Sequence, residues 1–505
     1  MNRSTPPEVR LRRNPVAPQG PSPAHIQSFY HLGGEELGEV ACQGTACFVA
    51  RHLNPNRWHE AFGQKQRVYC LGRCYCAPAA SSDHARPRIE VAAPDAIVLS
   101  NVARGGAKTI AAYRSLGGYA ALELALQKPR EETICSVEQS NLRGRGGAGF
   151  PTGRKWRAVA AATATEKFVV ANADEGDPGA YIDRFLMEDD PHQLLEAMTI
   201  AGYAVGATRG YIYLRKEYPG ALRSLEEAIA EARREGLLGD KILGSSYSLE
   251  IQILVGEGSY VCGEETAMLN SIEGRRPEVR PRPPYPTECG LFRKPTLVNN
   301  VETFASIPWI VLRGGETYAQ IGFSKSRGTK VLSLNSLFRR PGLYEVPFGT
   351  TVRQVVEDFG GGLKAGKAKG VLLGGPLAGI IPPHLFDTPL GFEELASIGA
   401  GVGHGGVIAF DEGTSIVELL HHVFEFAAFE SCGKCTPCRL GGPRIDEILR
   451  TILSSGHVSV QEKSECEEIV SCLGMTSLCG LGMGLADFAR SAFRYYSKDL
   501  DPCFM

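Results

Sequence analysis

No apolar run in the 505-residue sequence approaches the roughly 18 residues that span a bilayer, so direct membrane insertion is not expected. Net charge is also scarce. The 54 Lys and Arg against 56 Asp and Glu leave −2, which gives nucleic acid no basic face to bind. Residues 1–24 are rich in Pro and Arg and lack the apolar core of a secretory signal, so they are expected to form a disordered arm or a partner contact, and the chain to be cytoplasmic. The ending PCFM places Cys503 third from the end, out of register for a prenylation box.

Cysteine, by contrast, is plentiful, with 15 in the chain, and nine of them fall in clusters. Clustered thiols without a secretory signal point to metal binding in a reducing compartment rather than to a disulfide framework. In Ser431–Arg439 (SCGKCTPCR), Cys432, Cys435 and Cys438 are separated by two residues each, and Cys479 follows in TSLCGLG. A tight triplet with one distant Cys suits a [4Fe-4S] cube, whereas structural zinc usually takes two separated pairs and stays the alternative. Near the other end, Cys42 and Cys47 are four residues apart and Cys70 and Cys74 three. A helix and a strand Gln66–Tyr69 are expected between the two pairs. Two pairs on two loops suit a [2Fe-2S] rhomb with one pair on each iron. Zinc remains open here, a thioredoxin-type dithiol fits neither spacing, and Cys76 lies close enough to compete as fourth ligand. The remaining six cysteines have no ligand spacing and read as small buried hydrophobes.

Length alone suggests roughly three or four domains. Ser81–Pro87 reads as a linker and Ile110–Gln127 as one Ala/Leu-rich helical stretch. The next segment, Leu142–Trp156 (LRGRGGAGFPTGRKW), satisfies G-x-G-x-x-G through Gly144, Gly146 and Gly149. A dinucleotide fingerprint needs an apolar strand directly before it, and EETICSVEQSN is mostly polar, so an ordinary Rossmann fold is disfavoured. The glycines still admit close approach of backbone N–H groups to a phosphate, with Arg143, Arg145, Arg154 and Lys155 nearby. A Gly-rich surface turn is the plainer alternative. The strand Lys167–Ala171 then runs into Asn172, Asp174, Glu175 and Asp177, acceptors suited to neighbouring hydroxyls of a ribose or ribityl chain, although such clusters are also common in solvated loops. A second acidic loop, GSYVCGEETA, follows the strand Leu249–Val255.

The ordered set GRGGAGFPTGRKW, NADEGDPG, YVCGEETA, VNNVET and SCGKCTPCR closely resembles the NADH-binding flavoprotein subunit of respiratory complex I. Diaphorase subunits of NAD-dependent formate dehydrogenases and of soluble or bifurcating hydrogenases carry the same motifs. The N-terminal cysteines look like a short form of the thioredoxin-like [2Fe-2S] protein that partners this subunit, here fused to it.

The resemblance implies an α/β multidomain chain. A disordered arm (1–24) would precede a thioredoxin-like [2Fe-2S] unit (25–100), an FMN and NADH-binding domain (101–325), a ubiquitin-like β-grasp insert (326–412) and a helical [4Fe-4S] domain (413–505). It implies FMN contacts at Gly144, Arg145, Gly146, Gly147, Lys155, Asn172, Asp174, Glu175, Asp177, Tyr260, Gly263, Glu264, Asn299, Asn300 and Thr303, with Glu175 tuning the flavin electrostatically. For NADH it implies Phe150 and Tyr285 around the adenine, Glu265 on the adenosine ribose and Arg282 near the dinucleotide. The [4Fe-4S] ligands would be Cys432, Cys435, Cys438 and Cys479, and the [2Fe-2S] ligands Cys42, Cys47, Cys70 and Cys74. Three positions depart from the family pattern and are expected to alter dinucleotide affinity. Asp177 stands where Glu is common, Ala158 where a stacking Phe is usual, and Arg282 where Lys is usual.

The implied activity is hydride exchange between NAD(H) and FMN, with single electrons passed to the clusters. Formate, H2 or quinone chemistry would then belong to a larger partner subunit with further iron-sulfur clusters. Fusion of the [2Fe-2S] unit favours a molybdenum or tungsten formate dehydrogenase, or else a hydrogenase, over membrane-bound complex I. A non-catalytic iron-sulfur scaffold or redox sensor is the reading of a different class, opposed by the intact glycine loop and Glu265.

Overall fold

A computed structural model describes residues 40–62 and 67–505. The expected arm, residues 25–39 and Gln66 lie outside the described residues. Among the described residues, no helix is long and apolar enough to cross a membrane.

The two N-terminal cysteine loops are tied to each other by main-chain hydrogen bonds, Cys42 N–H to Ala79 O and Gln43 N–H to Val68 O, both 2.8 Å. Between them lie the helices Thr45–Val49 and Pro55–Phe62. The expected strand is not formed: residues 67–69 are irregular, because their main chain caps the first cysteine loop instead of entering a ladder. The segment Ser81–Pro87 is anchored rather than loose. Asp83 accepts from Arg57 at 2.9 Å and from the Ala80 N–H at 2.7 Å, and Arg86 pairs with buried Asp189.

Strand β1 (Arg88–Val91) then crosses to a sheet built mainly from residues 329–411. The expected helix Ile110–Gln127 is two helices, Ile110–Ser115 and Ala120–Leu126. Gly117 and Gly118 separate them, and a Cβ at Gly118 would lie 2.1 Å from the Tyr113 ring, so the chain turns where only glycine fits. The polar stretch before the glycine loop is the helix Arg130–Gln139, in line with the missing Rossmann strand.

Four parallel strands form the central sheet in the order β4-β3-β2-β5: β2 (Phe168–Ala173), β3 (Arg209–Arg215), β4 (Glu250–Gly256) and β5 (Thr296–Asn300). The apolar run of β2 is buried on both faces, as a covered parallel strand requires. The helix Pro191–Val205 packs against it, and all but one of that helix's residues are buried. Parallel pairing places the carboxyl ends of β2 and β5 side by side, Asn172 opposite Asn300, so the loops that follow meet at one sheet end.

After a two-stranded hairpin (β6, Gly322–Phe323; β7, Ser326–Arg327), a six-stranded sheet runs β1-β9-β8-β12-β10-β11. Its members are β8 (Thr329–Leu334), β9 (Gly342–Pro347), β10 (Ala368–Leu373), β11 (Ile380–Ile381) and β12 (Gly406–Asp411), with the hairpin β8–β9 leading to the helix Gln354–Phe359 and β8 and β12 parallel at the centre. Helices Ile416–Glu430, Gly442–Ser455, Val460–Thr476 and Gly480–Tyr495 make up most of the remainder. The third starts with a capping box between Ser459 and Glu462.

Glu345 on β9 fastens the segment after β1. Its buried carboxylate accepts from the N–H groups of Ile97 (3.0 Å), Val98 (3.0 Å) and Leu99 (2.9 Å) and from the Thr329 hydroxyl (2.7 Å). Glu345→Ala orphans four buried donors and is expected to cost about 3 kcal/mol, measured as a lower denaturant midpoint with an unchanged slope.

Candidate functional site

The glycine loop is pinned at both ends, Gly144 N–H to Phe150 O at 2.9 Å and Thr152 N–H to Leu142 O at 2.8 Å, and it feeds the helix Thr152–Ala161. Gly147 has φ +116°, and a Cβ on Gly146 would come within 3.1 Å of Asn300 Cβ. Of the cations expected around this loop, Lys155 faces the end of β5, donating to Val298 O at 3.0 Å and lying 3.5 Å from Glu265. Arg154 is exposed. The Arg145 guanidinium turns away into the protein, donating to Tyr318 Oη (2.9 Å) and Arg327 O (2.6 Å) over the Phe348 ring. It anchors the loop, while its N–H donates to Thr303 Oγ1 at 2.8 Å. Arg143 bonds Glu393 and Gly149 O, beside a cleft of about 710 Å³ that Arg154, Lys325 and Arg327 also line. This cleft includes none of the acidic-loop residues.

The acidic residues divide by role. Asn172 donates to Gly263 O at 2.8 Å, joining the two acidic loops. Asn300 caps the helix Val301–Ala305 through the Thr303 N–H and donates to Asp183 at 2.6 Å. Asn299, with its amide oriented to satisfy both ends, donates to Val298 O and accepts from the Trp156 indole at 3.0 Å. Glu264 caps the helix Glu265–Ile272 with one carboxylate oxygen, and its other oxygen, Oε1, is buried without a hydrogen-bond partner, with Arg282 3.8 Å away. Asp174 Oδ2 is likewise buried and unpartnered. Burial pushes the Asp174 carboxyl up to about 8 despite Arg215 nearby. Asp177, held by the Tyr260 hydroxyl at 3.2 Å, is pushed up to about 6, also chiefly by burial.

Glu175 differs from its neighbours. Its carboxylate is consumed inside the protein by the N–H groups of Ile182 (2.6 Å), Asp183 (3.0 Å) and Arg184 (3.1 Å), the Tyr218 hydroxyl (3.0 Å) and His404 (3.1 Å). Burial raises its pKa, but His404 and the N–H groups outweigh burial and leave it below the ordinary value.

Phe150 and Tyr285 are each 52% exposed, an unusual state for large aromatics and one suited to stacking on a flat ligand. Ala158 is exposed and adds no third ring. Glu265 lies 3.3 Å from Arg282 as well as close to Lys155, so two cations partly offset its negative charge.

At the N-terminal cysteines, Cys70 Sγ and Cys74 Sγ are 3.7 Å apart. A tetrahedral metal with metal–sulfur bonds of about 2.3 Å separates its sulfurs by about 3.8 Å, so this pair fits one metal ion. Cys42 contacts both Cys47 and Cys70, and all four thiols are buried. Cys76 Sγ is engaged by Arg73 O (3.2 Å) and Asp83. In the C-terminal set, the Leu478 N–H donates to Cys435 Sγ at 3.3 Å, bringing the neighbour of Cys479 onto the triplet, and Ser431 Oγ lies 3.2 Å from Cys438 Sγ.

Sequence reasoning missed the glycine-dense loops 374–379 and 399–405. Gly403 crosses Gly374 so closely that its Cβ would lie 2.0 Å from Gly374 O, and the ideal Cβ of Gly147 sits 3.6 Å from the Gly403 backbone. Gly375 packs on Asp177, and His404 reaches Glu175 and Asp183. Two runs, GGPLAG and GAGVGHGG, one after β10 and one before β12, were the available signal.

These residues fit a flavin mononucleotide. The loop without Cβ atoms leaves room for close approach, and the buried oxygens of Asp174 and Glu264 that lack hydrogen-bond partners are acceptors suited to hydroxyl donors.

Because the folded pKa of Asp174 lies far above its unfolded value of 3.8, the native state holds the extra proton, and stability falls as pH rises from about 4 to about 8. Asp174→Asn is expected to flatten that decline in a melting-temperature series across this range.

Comparison with known proteins agrees with this geometry. Residues 137–309 match the Nuo51 FMN-binding domain, and residues 418–502 match the NADH-ubiquinone oxidoreductase-F iron-sulfur binding region. The chain is 42% identical over 405 residues to an F-type NADH-quinone oxidoreductase subunit (F 2) of Rhizobium meliloti (strain 1021), covering 80% of this chain and 96% of that one. It is 44% identical over 390 residues to the NADP-reducing hydrogenase subunit HndC of Solidesulfovibrio fructosivorans, covering 77% and 79%. A chain of the NAD+-reducing [NiFe]-hydrogenase in the air-oxidized state superposes with a TM-score of 0.79 at 28% identity, covering 95% of this chain and 88% of that chain. Matches over both the flavin loop and the cysteine-bearing helices, at these identities, establish that the chain belongs to the family of F-type NADH-quinone oxidoreductase subunits, the NADH-binding FMN and iron-sulfur subunits of complex I and hydrogenase-diaphorase type.

Proposed function

We propose that this chain is a diaphorase that exchanges hydride with NAD(H) and single electrons with two iron-sulfur clusters. The observation that carries the reading is a glycine loop packed on Asn300 at the sheet end shared with Asn172, next to acidic loops in which two buried carboxylate oxygens, Asp174 Oδ2 and Glu264 Oε1, lack hydrogen-bond partners. FMN bound there supplies the conversion between two-electron hydride chemistry and one-electron transfer.

The chain's own residues bind and orient. The main chain of Gly144 to Gly147 and the Lys155 ammonium meet the phosphate end. Asn172, Asp174, Glu264, Asn299, Asn300 and Thr303 surround the ribityl and ring system, and Tyr260 with Gly263 closes the side. Phe150 and Tyr285 clamp the adenine, and Glu265 with Arg282 meets the adenosine ribose. Glu175 acts through the backbone it fixes. Cys432, Cys435, Cys438 and Cys479 hold the [4Fe-4S] cluster. Cys42, Cys47, Cys70 and Cys74 hold a [2Fe-2S] cluster, for which the 3.7 Å pair is the support. We assign the FMN and NADH-binding domain to 101–325, the β-grasp insert to 326–412 and the helical cluster domain to 413–505.

The second substrate lies on a larger partner subunit. Fusion of the N-terminal unit supports a molybdenum or tungsten formate dehydrogenase. A hydrogenase partner is the second reading, favoured by the 95% coverage in superposition with the [NiFe]-hydrogenase chain.

Two experiments test these assignments. Cys435→Ser is expected to leave bleaching of the flavin absorbance by NADH intact while electron transfer to the partner falls at least about 100-fold, and normal transfer would refute the relay. Metal analysis of the complex purified anaerobically on a tag carried by this chain separates the partners. Molybdenum or tungsten with iron identifies a formate dehydrogenase, nickel a [NiFe]-hydrogenase, and iron alone rules out both.

A further inference from the structure

His404 comes from the loop before β12, yet its side chain reaches the buried carboxylates that follow β2. Nε2 lies 3.1 Å from Glu175 Oε1 and 3.1 Å from Asp183 Oδ2, and all three side chains are buried. The two carboxylates receive their other contacts from neutral donors. Those on Glu175 come from three N–H groups and Tyr218, and those on Asp183 from Asn300 Nδ2 at 2.6 Å and the Glu302 N–H at 3.2 Å. Four neutral donors apart from His404 already meet the Glu175 carboxylate, about as many as its lone pairs, so a protonated imidazole shared between the two oxygens suits the site better than a metal ion.

The surrounding charges are consistent with that. Lys330 donates to His404 O at 3.0 Å and pairs with Glu302, and Arg145 lies beyond Lys330. Asp177 is close enough that the His404 charge holds it down against burial. Burial disfavours the charged imidazole, but Asp183 and Glu175 lift its pKa well above the ordinary value.

We propose that His404 is a positioning residue of the flavin site. By bridging Glu175 and Asp183 it supplies the positive charge that holds Asn300 and the loop from Asp174 to Asp177 in one arrangement, so the segment after β11 sets the charge of the pocket. This rests on the flavin reading, and the two fail separately: wild-type chain purified without FMN overturns that reading, whereas the variants below test His404 in flavin-loaded protein.

In the intact complex, His404→Gln is expected to keep FMN content and the KM for NADH within about twofold. Its kcat for ferricyanide reduction should fall about tenfold. Losing a cation raises the pKa of neighbouring carboxyls, Asp177 among them, so the acid limb of the kcat profile moves up by about one pH unit. His404→Lys returns it toward wild type. Asp183→Asn removes a negative charge and moves the limb down, an opposite sign that a purely structural defect would not produce. An unshifted profile in His404→Gln, equal shifts in both variants, or a stoichiometric non-iron metal lost with His404 would overturn the proposal. Should His404→Gln not fold, the direction in Asp183→Asn decides alone, with a downward shift supporting it and no shift or an upward one overturning it.

Discussion

Two buried carboxylates, Glu175 and Asp183, are the point on which the flavin-binding sheet, the six-stranded sheet and the N-terminal cysteine loops all converge. Glu175 caps the helix Ile182–Asp189 and takes Tyr218 and His404, while Asp183 takes His404 and Asn300. Burying charges is costly, and a network of this kind contributes little net stability compared with an apolar core. What it contributes is registry. The donors come from the helix Ile182–Asp189, from Tyr218, from the loop of His404 and from Asn300 at the end of β5, so the set ties the placement of all four together. Lys330 and Glu302, fully buried on β8 and the helix Val301–Ala305, lock the same two sheets a few residues away.

The site follows from strand order. Parallel pairing of β2 with β5 brings Asn172 opposite Asn300, and the glycine loop closes over that end because Arg145 is tied to Tyr318 and Arg327 behind it. The cation that the loop's sequence advertises most directly is thus a structural anchor. Lys155 is tied to Val298 O and Glu265 instead, and the glycines supply approach. Under the proposed role of Glu265, its pairing with both Lys155 and Arg282 would make discrimination between NADH and NADPH a balance of charges rather than simple repulsion.

Legibility in the sequence tracked how local each feature is. The cysteine spacings, the glycine loop and the strand β2 lie within short contiguous stretches whose chemistry survives without knowing the fold. Gly117 and Gly118 were visible yet outweighed by the Ala/Leu content around them, so one helix was expected where two exist. The pairing of β1 with β9, more than 250 residues away, had no local signal. Nor did the inward turn of Arg145 or the reach of His404 to Glu175, since each depends on a partner that only the tertiary fold brings near.

Fusion of the N-terminal cysteine loops is more than a tether. Arg215 donates to Cys70 O at 2.7 Å and also to Glu175 O, and Arg184 donates to Gly72 O at 3.0 Å. Gly72 itself, at φ +62°, lies so close to the Tyr218 ring that its Cβ would be 2.6 Å away. Tyr218 in turn holds Glu175. The backbone of the second cysteine loop is therefore bolted to the residues that shape the flavin pocket. On the opposite side Phe48 stacks on His422 at 4.4 Å and Tyr69 packs on Phe426 at 5.1 Å, both on the helix that leads into Cys432. Were the N-terminal cysteines to hold the proposed cluster, these shared side chains would keep its separation from the flavin site constant, as a flexible linker would not. Among the described residues, the cysteine loops share one apolar core with the sheet domain and the helix Ile416–Glu430, so they are packed as part of the same body rather than hung from it.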